Sequence, residues 1–211
     1  MKESGPRLSS ISEFRTYRRN LPHWEEPGRV YFITFTAVDG FALIDSAKDI
    51  VFSSIKFHAD KLYRLHVCVV MDAHVHSMWE PLPQPASQPG RYSVAQASLL
   101  AVSFYSLGQI THSIKSYSAN RIQRAEDARG SVWLHENYDR IIRDEHEYLA
   151  TLTYITDNPV KAGLVGRPED YRWLFVDGGI DSQAGTLALR HIQEVLNDTN
   201  PKRDESRNDI R

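Results

Sequence analysis

The sequence predicts an α+β fold, an antiparallel sheet with helices packed on it, and three features lead to that class. "VYFITFTA" (Val30 to Ala37) alternates Tyr31, Ile33 and Phe35 with Phe32, Thr34 and Thr36, a β-branched and aromatic pattern that reads as a strand. Val51, Ile55, Ala59 and Leu62 then recur at near-helical spacing and place a helix over about Ser46 to Leu62. Two further extended stretches follow, Tyr63 to Met71 and one from about Ala73. The order β-α-β-β is that of an antiparallel sheet with a helix on one face.

The remaining elements follow in chain order. The first dozen residues read as unstructured, and Phe14 to Gly28 mixes Arg15, Arg18 and Arg19 with Phe14, Tyr17 and Trp24. Arginines meet phosphates and base edges while aromatic faces stack on bases, so the segment suits a nucleic-acid arm; a solvated tail folded back on the domain has the same composition. Pro81 to Ser93 breaks the pattern with four prolines and a glycine and reads as a surface loop or insertion. Leu107, Ile110, Ile114 and Tyr117 recur at three- and four-residue steps, a helix that presents His112, Lys115 and Arg121 elsewhere. Ser131 to Ile142 reads as extended. Asp144 with Glu147 three residues later has the capping-box pattern and opens a helix through Tyr148, Leu149, Leu152 and Ile155 that should end near Pro159. From Asp198 the chain reads as a disordered tail.

At 211 residues the chain fits one well-buried domain with appended segments, and 41% hydrophobic with 25% charged residues is ordinary for a folded protein. No apolar run has membrane-spanning length and Met1 to Gly5 begins no signal-peptide pattern, so a cytoplasmic protein without a membrane partner is expected. The single cysteine, Cys68, lies in an apolar run and reads as a buried, inert thiol. A net charge of −2 offers no global attraction for nucleic acid, so any such partner has to use local patches, with Arg15, Arg18, Arg19, Lys115 and Arg121 as candidates.

"VVMDAHVHSMWEPL" (Val69 to Leu82) holds the chemistry. In a strand, residues i and i+2 share a face about 6.8 Å apart, so His74 and His76 project together while Val75 points away. Two imidazoles on one face form a chelating pair, though two ordinary sheet histidines would read the same. Near the end of the last helix Tyr154 and Asn158 stand four apart on one face, with Tyr154 off the packing stripe of Leu149, Leu152 and Ile155.

"MDAHVHSMWEP", "HSIKSYSANRI", "VWLHENYDRIIRDE", "YITDNPVKAGLV" and "RRNLPHWEEPGRVYFITF" together resemble the REP-associated tyrosine transposases, a branch of the HUH single-tyrosine transposase superfamily, over roughly Tyr17 to Trp173. The resemblance implies the ferredoxin-like, RRM-like palm of that superfamily over residues 29–175, with an insertion around 83–106, a basic arm over 1–28, and a C-terminal helix and tail over 176–211. It implies that His74, His76 and Asn158 hold a divalent metal, magnesium or manganese, and that Tyr154 is the nucleophile. Tyr117 in "KSY" is the alternative nucleophile, but no asparagine or glutamine follows it four residues on. Arg18 and Arg19 resemble the segment that reads a short guide sequence at the foot of a DNA hairpin.

The implied activity is cleavage and strand transfer on single-stranded DNA carrying REP-like palindromic hairpins, through a 5′-phosphotyrosine, in a bacterial protein working at the nucleoid. The REP-associated branch implies a monomer, whereas other single-tyrosine relatives exchange their tyrosine helices between two subunits, and the sequence leaves both open. A non-catalytic hairpin-binding protein with the same fold is the alternative, and a metal-dependent hydrolase of small phosphoesters is a third reading. One departure concerns the turn before the histidines, where the family commonly reads "MPNHVH" and this chain has Met71-Asp72-Ala73-His74-Val75-His76.

Overall fold

The computed structural model describes residues 15–18, 22–85 and 103–178, and before Glu25 the backbone alone. Arg19, the side chains of Arg15 and Arg18, the middle of the expected insertion and the expected C-terminal helix and tail lie outside the described residues. The described part has seven strands: β1 (Arg15–Arg18), β2 (Pro22–Glu25), β3 (Tyr31–Ala37), β4 (Tyr63–Val70), β5 (His74–Pro81), β6 (Trp133–Ile141) and β7 (Leu174–Val176). Its α-helices are α1 (Asp45–His58), α2 (Leu107–Glu126) and α3 (Glu145–Lys161). Five strands form one antiparallel sheet in the order β6-β3-β5-β4-β7, so the expected α+β class is the one observed.

Alternation along the strands decides which side chains meet which helices. Ile33 and Phe35 of β3 are fully buried toward α1 and α2. On the same face Phe35 packs edge-on against Trp133 at 5.0 Å, and the Trp133 indole donates to Ser118 Oγ of α2 at 3.0 Å. Tyr63 stacks on Trp79 at 4.6 Å and donates its hydroxyl to the Ile55 carbonyl of α1 at 2.7 Å. Buried Val51 and Ile55 in α1 and Ile110, Ile114 and Ile122 in α2 are the apolar stripes that close this layer. Each such side chain contributes roughly 1.5–3 kcal/mol by leaving water. The even-numbered side chains of β3, Phe32 and Thr34, point to the other face, the one that α3 covers over β4 and β5.

Several ends differ from the sequence expectation. Within the expected arm, β1 pairs antiparallel with β2, Tyr17 opposite His23, and the Glu25 carboxylate accepts from the Leu107 amide at the start of α2 at 3.1 Å. Helix α1 stops at His58, four residues early, because Asp60 takes a left-handed φ of 60° and the chain turns into β4. Asp144 caps α3 by accepting from the Glu147 amide at 2.8 Å, but the Glu147 carboxylate reaches back to the Arg143 amide instead of the Asp144 amide, so the box is only half formed. Pro159 sits inside α3, which runs on to Lys161. Its ring removes the donor to the Ile155 carbonyl, while the C-terminal carbonyls of Asn158, Pro159 and Val160 accept from Ala162, Leu164 and Gly163. The expected insertion is closed at its base, where the Gln84 amide donates to the Ser103 carbonyl and the Tyr105 amide to the Leu82 carbonyl.

Candidate active site

β5 brings His74 and His76 to the α3 side of the sheet, opposite Thr36 and Thr34 of β3. Their rings lie 4.6 Å apart, with His76 buried to 7% exposure. The turn that delivers them is tied down on every side. The Met71 amide donates to the His74 carbonyl, and the carbonyls of Asp72 and Ala73 accept from Leu43 and Ala37. The Asp72 carboxylate lies 2.7 Å from the ammonium of buried Lys48 on α1. Asp72-Ala73 therefore holds the histidine strand by an ion pair and backbone bonds.

From α3, Tyr154 projects beside the buried stripe of Thr151, Leu152 and Ile155 and places its hydroxyl 3.3 Å from His76 Nε2. Asn158, one turn on, donates to the Tyr154 carbonyl at 3.3 Å, and its side chain lies beside His74. His74, His76, Tyr154 and Asn158, separated by 80 residues of sequence, thus form one cluster. Tyr154 stays 45% exposed, open to a ligand.

Three residues that sequence reasoning did not single out complete the surroundings. Thr34 Oγ1 lies 2.8 Å from His76 Nδ1. Phe32 stacks on His76 at 5.6 Å and meets Tyr154 edge-on at 6.1 Å. Arg140 lies over the Phe32 ring at 5.4 Å, pairs with Glu147 and donates to Thr151 Oγ1 at 3.1 Å, fixing the first half of α3 to β6. Nothing in the alternation of β3 sets Thr34 apart from Thr36, since its partner is set by cross-strand register.

Electrostatics keep the imidazoles neutral. Burial, with the neighbouring His74 adding to it, pulls His76 down to about 4. Burial also lowers His74, against the opposing effects of the Asn158 side chain and the nearby Asp72 charge. Neutral imidazole is the ligating form. Among the described residues no three His, Cys, Asp or Glu side chains are grouped so as to hold a metal ion; beside the two histidines stands the Asn158 side chain, which carries an amide oxygen. Two neutral imidazoles and an amide oxygen are a chemically fitting set for a divalent cation that keeps open positions.

The other sequence candidates lie elsewhere. Tyr117 is on α2 and lines a groove with Phe57, His58 and Arg121 on the α1–α2 side of the sheet, across the sheet from His74 and His76. Arg121 is in that same groove. The Lys115 ammonium donates to the Leu134 and His135 carbonyls and to Asn137 Oδ1 at 2.6, 3.0 and 2.8 Å, so its donors hold α2 against β6. Cys68 is fully buried and its thiol is pushed up to about 12 by burial, as an inert core residue should be. Among the described residues no helix is long and apolar enough to cross a membrane.

These features define a class, an antiparallel α+β palm in which a His-x-His strand faces the helix that carries Tyr154. Among solved structures, the chain is similar to that of a REP-associated tyrosine transposase bound to a REP hairpin, with a TM-score of 0.52 and 20% identity over 78% of this chain and 82% of that one. A transposase-assigned protein of Deinococcus radiodurans R1 is a looser match, with a TM-score of 0.39 and 15% identity over 74% of this chain and 95% of that one. No protein-family model and no curated protein sequence matches the chain.

Proposed function

We propose that this protein is a transposase-type single-stranded DNA endonuclease and strand transferase acting on REP-like hairpins through Tyr154. The observation that carries the reading is the Tyr154 hydroxyl held 3.3 Å from His76 Nε2, on a partly open surface, beside His74 and Asn158. The fold shared with a transposase bound to a REP hairpin supports the substrate class.

Tyr154 Oη attacks the phosphorus in line with the leaving 3′ oxygen. The Oη–P bond forms, the P–O3′ bond breaks, the phenolic proton passes to solvent and the 3′ oxygen leaves as a hydroxyl. The 5′ phosphate stays on Tyr154 as a phosphodiester, so attack by another 3′ hydroxyl rejoins a strand without ATP. A free phenol titrates near 10 and is a weak nucleophile at neutral pH, so orientation has to supply much of the rate. His76 and the edge of Phe32 position the phenol, and Asn158 lies beside His74 one turn beyond it. With Nδ1–H donating to Thr34 Oγ1, His76 turns the lone pair of Nε2 into the site. His74, His76 and Asn158 are the residues that would hold magnesium or manganese, which when bound supplies Lewis-acid stabilisation of charge on the phosphate.

The test is incubation of the protein with a labelled hairpin oligodeoxynucleotide carrying single-stranded flanks, with and without manganese. A denaturation-resistant adduct that is lost in Tyr154→Phe and His74→Ala is expected. Tight hairpin binding with no adduct at any metal concentration would replace this reading with the non-catalytic binding protein.

A further inference from the structure

The site uses only part of its sheet face. Helix α3 covers β4 and β5, while β6, the edge strand, leaves Tyr138 53% exposed on the same face. Register places Tyr138 in one row with the site, for Thr34 pairs with Tyr138 on one side and with His76 on the other. Two strand spacings separate Tyr138 from His76, about 10 Å, within reach of a nucleotide next to the reacting phosphate. The Tyr138 ring meets Phe32 edge-on at 6.1 Å, and Phe32 in turn touches both His76 and Tyr154. No hydrogen bond among the described residues engages the Tyr138 hydroxyl, and its ring is not needed to fill the core.

We propose that Tyr138 is a stacking platform for an unpaired base of the substrate strand, next to the phosphate presented to Tyr154. The occupant follows from the surface chemistry. A flat ring supported edge-on by a second aromatic offers a face suited to a nucleobase, and a base held there fixes which phosphate lies over the histidine row. Arg140 and Lys161 put positive charge at two margins of the patch, 5.4 Å from the Phe32 ring and 5.9 Å from the Tyr154 ring, although each also has an acidic neighbour in Glu147 and Asp157. Stacking is tolerant of base identity, so Tyr138 sets the position of the strand more than its sequence. This inference rests on the proposed single-stranded DNA substrate.

The test uses a hairpin oligodeoxynucleotide with 2-aminopurine placed in turn at each unpaired position flanking the hairpin, titrated with the full-length protein. Wild type should quench 2-aminopurine strongly at one or two adjacent positions. Tyr138→Ala should remove that quenching and weaken binding by about 5- to 100-fold, whereas Tyr138→Trp should restore both. An abasic nucleotide at the quenched position should weaken wild type and leave Tyr138→Ala unchanged. Equal quenching and affinity in Tyr138→Ala, with wild type binding the strand, overturns the stacking role alone. Failure of wild type to bind any unpaired flank overturns both this role and the DNA-processing reading.

Discussion

Thr34 Oγ1 and His76 Nδ1 lie 2.8 Å apart across the β3–β5 pair, linking a residue of unremarkable sequence context to the most buried imidazole of the site. Outer partners of ligating histidines typically change metal affinity or activity 10- to 100-fold when removed. Thr34→Val keeps the shape and the strand preference while deleting the partner. Adduct formation titrated against manganese should therefore need roughly 10–100 times more metal in Thr34→Val, and Thr34→Ser should remain close to wild type. An unchanged manganese midpoint would show that His76 needs no such support.

Lys48 is buried beneath the ring of Trp173 at 4.4 Å and faces Asp72 at 2.7 Å and Asp45 at 3.5 Å. Asp72→Asn leaves that ammonium with the more distant carboxylate. Because Asp72 is itself more than half exposed, the cost falls below that of a wholly buried pair, at roughly 1–2 kcal/mol. Urea denaturation should show a lower midpoint with an unchanged slope, and metal titration should show weaker loading because the turn before His74 loosens.

Burial lowers the pKa of His58, His66, His74 and His76, so each is more basic in the unfolded chain, near 6.5, than in the native one. Below about 6.5 the unfolded chain binds protons that the native chain resists, and stability must fall as pH drops. For His76 the loss continues down to about 4, where the native imidazole also protonates. Without metal, the unfolding midpoint should be flat above neutrality and decline from pH 7 to 5. His66→Gln should shrink that decline, since it removes a titrating ring held at 2.9 Å by Tyr148.

Tyr117 and Tyr154 are both about half exposed but stand on opposite sides of the sheet. Tyr154→Phe should abolish the adduct while changing stability by no more than about 0.5 kcal/mol, the range of surface substitutions. Tyr117→Phe should leave the adduct intact. The reverse result would move the nucleophile to the α1–α2 groove.

Much of the fold was legible because its signal is local. The alternation in "VYFITFTA" and the three- and four-step spacing of Leu107, Ile110 and Ile114 each report a buried face without reference to the rest of the chain. The β1–β2 hairpin was not legible, since Arg15 to Arg18 and Pro22 to Glu25 lack apolar alternation and the pairing rests on backbone bonds. His74 and His76 were visible through their period of two, and Asn158 with Tyr154 through their period of four. Thr34, Phe32 and Tyr138 were not, because their closeness to the histidines comes from inter-strand register, which neighbouring residues do not encode. Lys115 read as a free surface charge, and only the fold reveals the carbonyls that claim it.

The return of the chain after α3 bears on reaction order. Beyond Lys161 the backbone runs back along the sheet, Tyr171 donates to the Val70 carbonyl, Trp173 donates to Asp49, and β7 zips onto the free edge of β4. Helix α3 is thus stapled into its own sheet by Arg140 before Tyr154 and by β7 after it. Lending Tyr154 to a second copy would require stripping both attachments. Adduct yield per molecule should hold steady on dilution, with a rate first order in protein.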